Sequence, residues 1–194
     1  LKSINYLMER NGLTVIDAST NFVNGGSLRV LITHKENSKS KSKRYEEILA
    51  EEEKCNLEQV DTYIDYRQKI NEIIEKTKKF IMNELENSQL VIGLGASTKG
   101  NVLLQICGID KNLLPFISDI NKDKIGLRTL GTDIEIISEE KAREINPSAM
   151  LVIPWNFKEE ILSREKNYIQ NGGKMLFLMP SPYYVDKFGE HEIQ

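Results

Sequence analysis

Short apolar segments alternate with helical segments over residues 88–180, and this alternation constrains the fold more than any other feature of the sequence. Five segments are largely apolar and are predicted as strands: 89–92, 115–119, 134–137, 149–153 and 174–179. Continuously apolar strands separated by helices are typical of a parallel sheet that is covered on both faces. Right-handed crossovers then predict an α/β fold, a Rossmann-like doubly wound parallel sheet.

The sequence around this alternation predicts four further zones. Residues 1–34 are typical of a helix and two strands with little core of their own, so we expect these strands to pair with another segment. Residues 35–56 hold a Lys- and Ser-rich linker and, from residue 45, the start of a helix. Apolar side chains at three- and four-residue intervals then predict a long connecting helix over residues 57–87. The Rossmann-like domain is expected over residues 88–185, and a polar tail over 186–194.

Composition argues against several classes of function. The chain has 26 Lys and Arg against 29 Asp and Glu, so its net charge of −3 argues against a nucleic-acid partner. No apolar run approaches the roughly 20 residues of a membrane helix, so no membrane partner is expected. Two cysteines are too few for a disulfide framework or a four-cysteine zinc site, and they predict reduced thiols in a cytoplasmic protein. Because the chain begins at Leu1, we interpret it as part of a longer protein; its oligomeric state is left open.

A glycine-rich segment joins the first strand of the alternating region to its first helix. Its candidate ligand-binding residues are Gly93, Gly95, Ala96, Ser97, Thr98, Lys99, Gly100 and Asn101. Glycines let a backbone approach a ligand closely, and the free amides of a helix N-terminus favour an anion. The hydroxyl groups and the lysine charge predict a phosphate or pyrophosphate site here. The alternative is a structural turn that binds nothing. It is supported by two departures from known phosphate-binding motifs: Thr98 stands where the dinucleotide fingerprint has its third glycine, and Lys99 precedes Gly100, whereas the P-loop lysine follows the last glycine.

Two other candidate ligand-binding residues follow later strands at the same edge of the predicted sheet. Asp119 ends the second strand, where an acid in dinucleotide folds accepts hydrogen bonds from ribose hydroxyls. The alternative for Asp119 is a turn cap beside Asn121. Trp155 follows the fourth strand and is suited either to stacking on a base or sugar or to closing the core. Asn156 is predicted to cap the next helix. We assign no catalytic residue and no metal ligand, because neither a nucleophile–base pair nor a metal-ligand cluster is visible in the sequence.

Six short motifs, some of them described above, follow one another in a fixed order over residues 22–182. The stretches are 25–29, 93–101, 118–126, 131–134, 154–157 and 172–174. As an ordered set they resemble the C-terminal half of the sugar-nucleotide C-methyltransferases. Enzymes of that family use S-adenosylmethionine to methylate a ring carbon of a deoxysugar carried on a nucleoside diphosphate.

The resemblance implies a longer enzyme with an N-terminal zinc module, a central S-adenosylmethionine-binding domain and this C-terminal domain. Residues 1–34 would then be the tail end of the methyltransferase domain, which would be the partner of this domain within one polypeptide. The nucleoside-diphosphate sugar is expected to face the Gly95–Gly100 loop. The family's zinc cysteines, cofactor loop and catalytic residues have no counterpart in this sequence. The fragment is therefore expected to bind no cofactor and to be inactive alone.

The reaction that the resemblance implies follows an enolate route. A base removes the proton beside a sugar ketone, and the carbanion attacks the sulfonium methyl group. This domain would hold the diphosphate and help to exclude water. Two alternatives remain open from the residues: an NAD(P)-binding oxidoreductase domain, and a non-enzymatic Rossmann-like scaffold or dimerisation domain.

Overall fold

The computed structural model describes residues 1–37 and 40–193, and the chain divides into two compact units. The first unit comprises Leu1–Gln68 and the second Lys69–Gln194. The boundary falls within the long helix Val60–Glu86. The described helices include none that is long and apolar enough to cross a membrane.

The first unit contains the predicted helix followed by two strands. Helix α1 (Lys2–Arg10) precedes the antiparallel strands β1 (Leu13–Asn21) and β2 (Ser27–His34). Their small core contains the buried side chains of Leu1, Val15, Ala18 and Tyr45. In the part of the chain that the structure describes, β1 and β2 pair with each other. That they also pair with a segment of another domain stays a prediction.

The continuous helix predicted from residue 45 is interrupted in the structure. Helix α2 (Lys43–Lys54) begins after Ser42, whose side chain accepts a hydrogen bond from the Tyr45 amide, and helix α3 (Val60–Glu86) follows. Asn56 between them has φ of 49°, a left-handed conformation that a right-handed helix cannot include. The linker prediction is tested only in part, because residues 38 and 39 lie outside the described residues.

The second unit confirms the α/β fold. Its sheet has the order β5-β4-β3-β6-β7-β8-β9, in which the first five strands of that order are parallel and the last two are antiparallel additions. The strands are β3 (Val91–Leu94), β4 (Phe116–Asp119), β5 (Glu135–Ser138), β6 (Ala149–Val152), β7 (Lys174–Phe177), β8 (Tyr183–Asp186) and β9 (Gly189–Glu192).

Helices cover both faces of this sheet, as the apolar strands predict. Alongside α3, they are α4 (Thr98–Cys107), α5 (Glu139–Ile145), α6 (Lys158–Arg164) and α7 (Lys166–Gln170). One core cluster joins Ile81 of α3 and Leu104 of α4 to the sheet. The other joins the sheet to Ala142 of α5, Ile161 of α6 and Ile169 of α7. The strands are therefore buried between two helical layers.

Three local features differ from the sequence predictions. The segment 186–194, expected to be a polar tail, includes the edge strand β9, whose side chains are mostly exposed and so carry no apolar signal. The prediction that Asn156 caps α6 was wrong, because Asn156 lies within a 3₁₀ turn and α6 begins after Phe157. The helical segment between the fourth and fifth predicted strands consists of two helices, α6 and α7, which are separated at Glu165.

Candidate functional site

A cavity of about 400 Å³ lies at the carboxyl ends of the parallel strands of the second unit. From β3 the chain first adds β4 and β5 on one side of the sheet, and then β6 and β7 on the other. This reversal between β3 and β6 is the topological switch point at which open α/β sheets bind their ligands. The cavity wall includes residues that follow β3, β4 and β6.

The glycine loop is shaped by close contacts with the chain after β6. Gly95 has φ of +89°, and a Cβ atom added there would lie 2.6 Å from Pro154 Cδ. A Cβ atom added at Gly100 would lie 2.3 Å from Ile153 Cγ2. Gly100 thus provides the close helix–strand contact that the dinucleotide fingerprint assigns to its third glycine. The residue at the position of that third glycine, Thr98, is exposed.

The N-terminus of α4 presents hydrogen-bond donors at the end of this loop. Ser97 caps the helix, because its Oγ accepts a hydrogen bond of 3.0 Å from the Gly100 amide. The amides of Thr98 and Lys99 come before the first intrahelical hydrogen bonds and have no acceptor within the helix. They lie at the positive end of the helix dipole, which favours a bound anion. Ser97 itself lines the cavity.

Two lysines near the loop have different environments. Lys99 is exposed and is not part of the described cavity wall. Lys124 lines the cavity, and its Nζ donates hydrogen bonds of 2.9 Å to the Ala96 carbonyl and 3.0 Å to Asp119 Oδ2. Lys124 belongs to the stretch 118–126, but no feature of the sequence assigned it a role. Its only signal was its place in a short charged turn after the second strand.

Asp119 lines the cavity with a carboxylate that is already engaged. Its side chain is 9% exposed. Oδ1 accepts the Asn121 amide at 2.8 Å, and Oδ2 accepts Lys124 Nζ. The hydrogen bond from the Asn121 amide agrees with the turn cap that the sequence allowed for Asp119. A contact of Asp119 with a ribose hydroxyl stays a prediction, because a carboxylate can accept more than two hydrogen bonds.

The structure brings only some of the candidate residues to the cavity. Gly95, Ser97 and Asp119 line it. Gly93, Ala96 and Gly100 are buried, and Thr98 and Lys99 are exposed outside the described cavity wall. Asn101 is half-buried, and its Oδ1 atom has no hydrogen-bond partner among the described residues. Trp155 is half-buried against the core cluster that includes α5, α6 and α7. This position agrees with the alternative in which Trp155 closes the core.

Paired charges form another part of the cavity wall. Arg164 Nη2 lies 2.9 Å from Glu139 Oε1, and both residues line the cavity. Behind them, Arg143 lies 3.1 Å from Glu139 and 2.7 Å from the buried carboxylate of Glu165. Hydrogen bonding to Glu165 raises the pKa of Arg143 above its ordinary value. The charged side chains in this part of the wall are therefore held in place by ion pairs, and their charges largely neutralise one another.

The rest of the wall is mainly apolar, apart from Asn121 and exposed Glu160, and this mixed lining is suited to binding a small molecule. Exposed Ile120 and Phe157, together with Pro154, offer apolar surface beside the polar groups. Within residues 1–37 and 40–193, no group of three or more His, Cys, Asp or Glu side chains could hold a metal ion. The arrangement can hold an anionic ligand that carries an apolar part.

A mostly parallel sheet with helices on both faces defines an α/β domain of Rossmann-like type, and its cavity lies at the switch point where such sheets bind ligands. The chain belongs to the family described as the C-methyltransferase C-terminal domain, whose family model matches residues 22–180. It is also 31% identical over 185 residues to the C-methyltransferase NovU of Streptomyces niveus. That similarity covers 95% of this chain and 44% of NovU, so the chain spans less than half the length of this curated relative.

Proposed function

We propose that this chain is the substrate-holding domain of an S-adenosylmethionine-dependent C-methyltransferase that acts on a nucleoside-diphosphate deoxysugar. Membership of the C-methyltransferase family supports the reaction class. The observation that supports binding by this domain is the cavity at the switch point of the sheet. There Gly95 of the glycine loop, the N-cap residue Ser97 of α4 and Lys124 line one space.

The chemistry of the cavity wall matches the two parts of such a ligand. The diphosphate would meet the amides at the start of α4 and the ammonium group of Lys124. The base or the deoxysugar, which has fewer hydroxyl groups than an ordinary sugar, would pack against Ile120, Pro154 and Phe157. A volume of about 400 Å³ falls within the range of sites for small organic ligands.

The reaction needs groups that we place elsewhere in the longer protein. S-adenosylmethionine supplies the methyl group, and we propose that it and the zinc ion bind to other parts of that protein. The residues of this chain would bind the sugar nucleotide, orient its ring and limit the access of water. Correct orientation of two reactants can provide a large part of a catalytic effect.

Calorimetric titration of this chain tests the proposal. We expect thymidine diphosphate glucose to bind, and S-adenosylmethionine and NADH not to bind. Ile120→Glu would place a negative charge on the cavity wall at an exposed position, and we expect at least a tenfold loss of affinity for the diphosphate. Leu130→Glu is the matched control, because Leu130 is exposed and lies outside the described cavity wall.

Each alternative function has its own outcome in this titration. Preferential binding of NADH would favour the oxidoreductase alternative, and binding of S-adenosylmethionine would contradict the division of roles proposed here. Absence of binding by all three compounds would favour the scaffold alternative. Equal losses of affinity in Ile120→Glu and Leu130→Glu would mean that the diphosphate does not bind in this cavity.

A further inference from the structure

One ammonium group joins the loops that follow two neighbouring strands. Strands β3 and β4 are parallel partners, with Leu94 opposite Ser118, so their following loops leave the same edge of the sheet. Lys124 Nζ donates to the carbonyl of Ala96 in the first loop and to the carboxylate of Asp119 at the start of the second. Removing this group would remove a link between the glycine loop and the end of β4.

Turn chemistry directs Lys124 onto Asp119. The Asn121 amide donates to Asp119 Oδ1, which fixes the orientation of the carboxylate. The Asn121 side chain in turn accepts the Asp123 amide at 3.0 Å and caps the 3₁₀ turn Lys122–Lys124. This turn brings the chain back, so that its last residue reaches the carboxylate. A nearly buried carboxylate is costly without a cation, which favours this pairing.

Backbone amides of the glycine loop make two further hydrogen bonds, one to strand β4 and one within the loop. The Gly95 amide donates to the Ser118 carbonyl at 2.7 Å, and the Ser97 amide donates to the Gly95 carbonyl at 2.8 Å. The Ala96 carbonyl lies between these points and accepts from Lys124. A carbonyl oxygen facing an anion would repel it, and the ammonium group removes that repulsion.

We propose that Lys124, oriented by Asp119, is the positioning residue of the glycine loop and also contacts the anionic group of the ligand. An ammonium group has three N–H donors, of which two are used by Ala96 and Asp119. The third is available to a phosphate in the cavity that Lys124 lines. Only this second part, the contact with the anion, rests on the proposed function.

Amide hydrogen exchange of the ligand-free chain tests the positioning role. In Lys124→Met we expect the amides of residues 93–101 to exchange at least tenfold faster, while those of β7 keep their wild-type rates. Lys122→Met is the matched control, because Lys122 is an exposed lysine of the same turn, and its exchange should equal that of the wild type. Lys124→Arg keeps the charge and should restore part of the protection. Unchanged exchange in Lys124→Met, or equal acceleration in Lys122→Met, would overturn the positioning role.

Titration with thymidine diphosphate tests the contact with the anion. Loss of a charge-assisted hydrogen bond should lower the affinity of Lys124→Met about tenfold or more, whereas Lys122→Met should stay within about twofold of the wild type. Equal losses in the two variants would indicate a general charge effect and would overturn the contact. If the wild-type chain binds no thymidine diphosphate, the proposed function fails for this chain, and the exchange experiment still decides the positioning role.

Discussion

Substitution of Gly100 by alanine tests the contact that holds α4 against the sheet. The new Cβ atom would lie 2.3 Å from Ile153 Cγ2 and 3.0 Å from Ser97 Oγ. Carbon atoms pack best at about 3.5–4.0 Å, so the helix or Ile153 must move by more than 1 Å. Ile153 is only 1% exposed and is surrounded by core residues, so we expect it to yield little.

The expected change in the free energy of unfolding combines two opposing effects. Alanine is about 1 kcal/mol more favourable than glycine inside a helix. Overpacking of a close-packed core costs about 1–3 kcal/mol, and an overlap of this size belongs near the upper end. Gly100→Ala should therefore destabilise the second unit by about 2 kcal/mol. Its displaced helix N-terminus should also weaken the binding of thymidine diphosphate.

Urea unfolding followed by the fluorescence of Trp155 measures this change. Trp155 is the only tryptophan and belongs to the second unit, so its signal reports the unfolding of that unit. The matched background is Ile153→Leu, which removes the Cγ2 branch while conserving volume. In that background Gly100→Ala should be at least about 1 kcal/mol less destabilising. If Gly100→Ala stabilises the chain, or costs the same in both backgrounds, the contact argument is wrong.

Three further predictions concern thiols and charges. Burial raises the pKa of the Cys107 thiol to about 11, so iodoacetamide should label only exposed Cys55 in the folded chain and both thiols in urea, as counted by mass spectrometry. Arg143→Met leaves the buried Glu165 carboxylate with fewer partners and should lower the free energy of unfolding by about 1–3 kcal/mol. Burial raises the pKa of Asp186, but hydrogen bonds from backbone amides and from His191 outweigh this effect and hold the pKa below its ordinary value. The ionised Asp186 carboxylate therefore stabilises the folded chain at pH values above its unfolded-state pKa, and this stabilisation is lost as the pH falls through its folded-state pKa. Asp186→Asn should make the free energy of unfolding, measured in urea, depend less on pH on the acid side.

Each of these predictions has an outcome that would contradict it. Equal labelling of the two cysteines in the folded chain would show that Cys107 is accessible. Lys141→Met removes an exposed ion pair with Glu144 and should change the free energy of unfolding by less than about 0.5 kcal/mol. A cost as large as that of Arg143→Met would contradict the role given to burial. An unchanged acid profile in Asp186→Asn would mean that this carboxylate does not contribute to the pH dependence.

The sequence predicted the layers of the second unit because their signals are local. The five parallel strands lie within a few residues of the predicted apolar segments. Strand β9 was missed, because an exposed edge strand needs no apolar side chains. The interruption between α2 and α3 was missed, because the left-handed Asn56 lies within an otherwise helical pattern.

The site was predicted less completely than the fold. The glycine loop follows β3 and Asp119 ends the adjacent strand β4, and the rule that ligands bind at the carboxyl edge predicted a site at that edge, where the cavity lies. The lysine of the cavity wall is Lys124, whereas the sequence pointed to Lys99, which is exposed. Spacing along the chain placed Lys99 in the loop, but it gave no information on which lysine folds back over the loop.

The sequence by itself determined the alternation of strands and helices, the glycine-rich turn into α4 and the family to which the chain belongs. Each of these depends on residues that are near one another in the chain or on an ordered set of motifs. Only the tertiary structure decided that Gly100 packs on Ile153 and that Lys124 joins Ala96 to Asp119. Strand order creates these contacts by placing β4 and β6 on either side of β3. Residues more than twenty positions apart thereby become neighbours, and no local pattern records which side chains will meet.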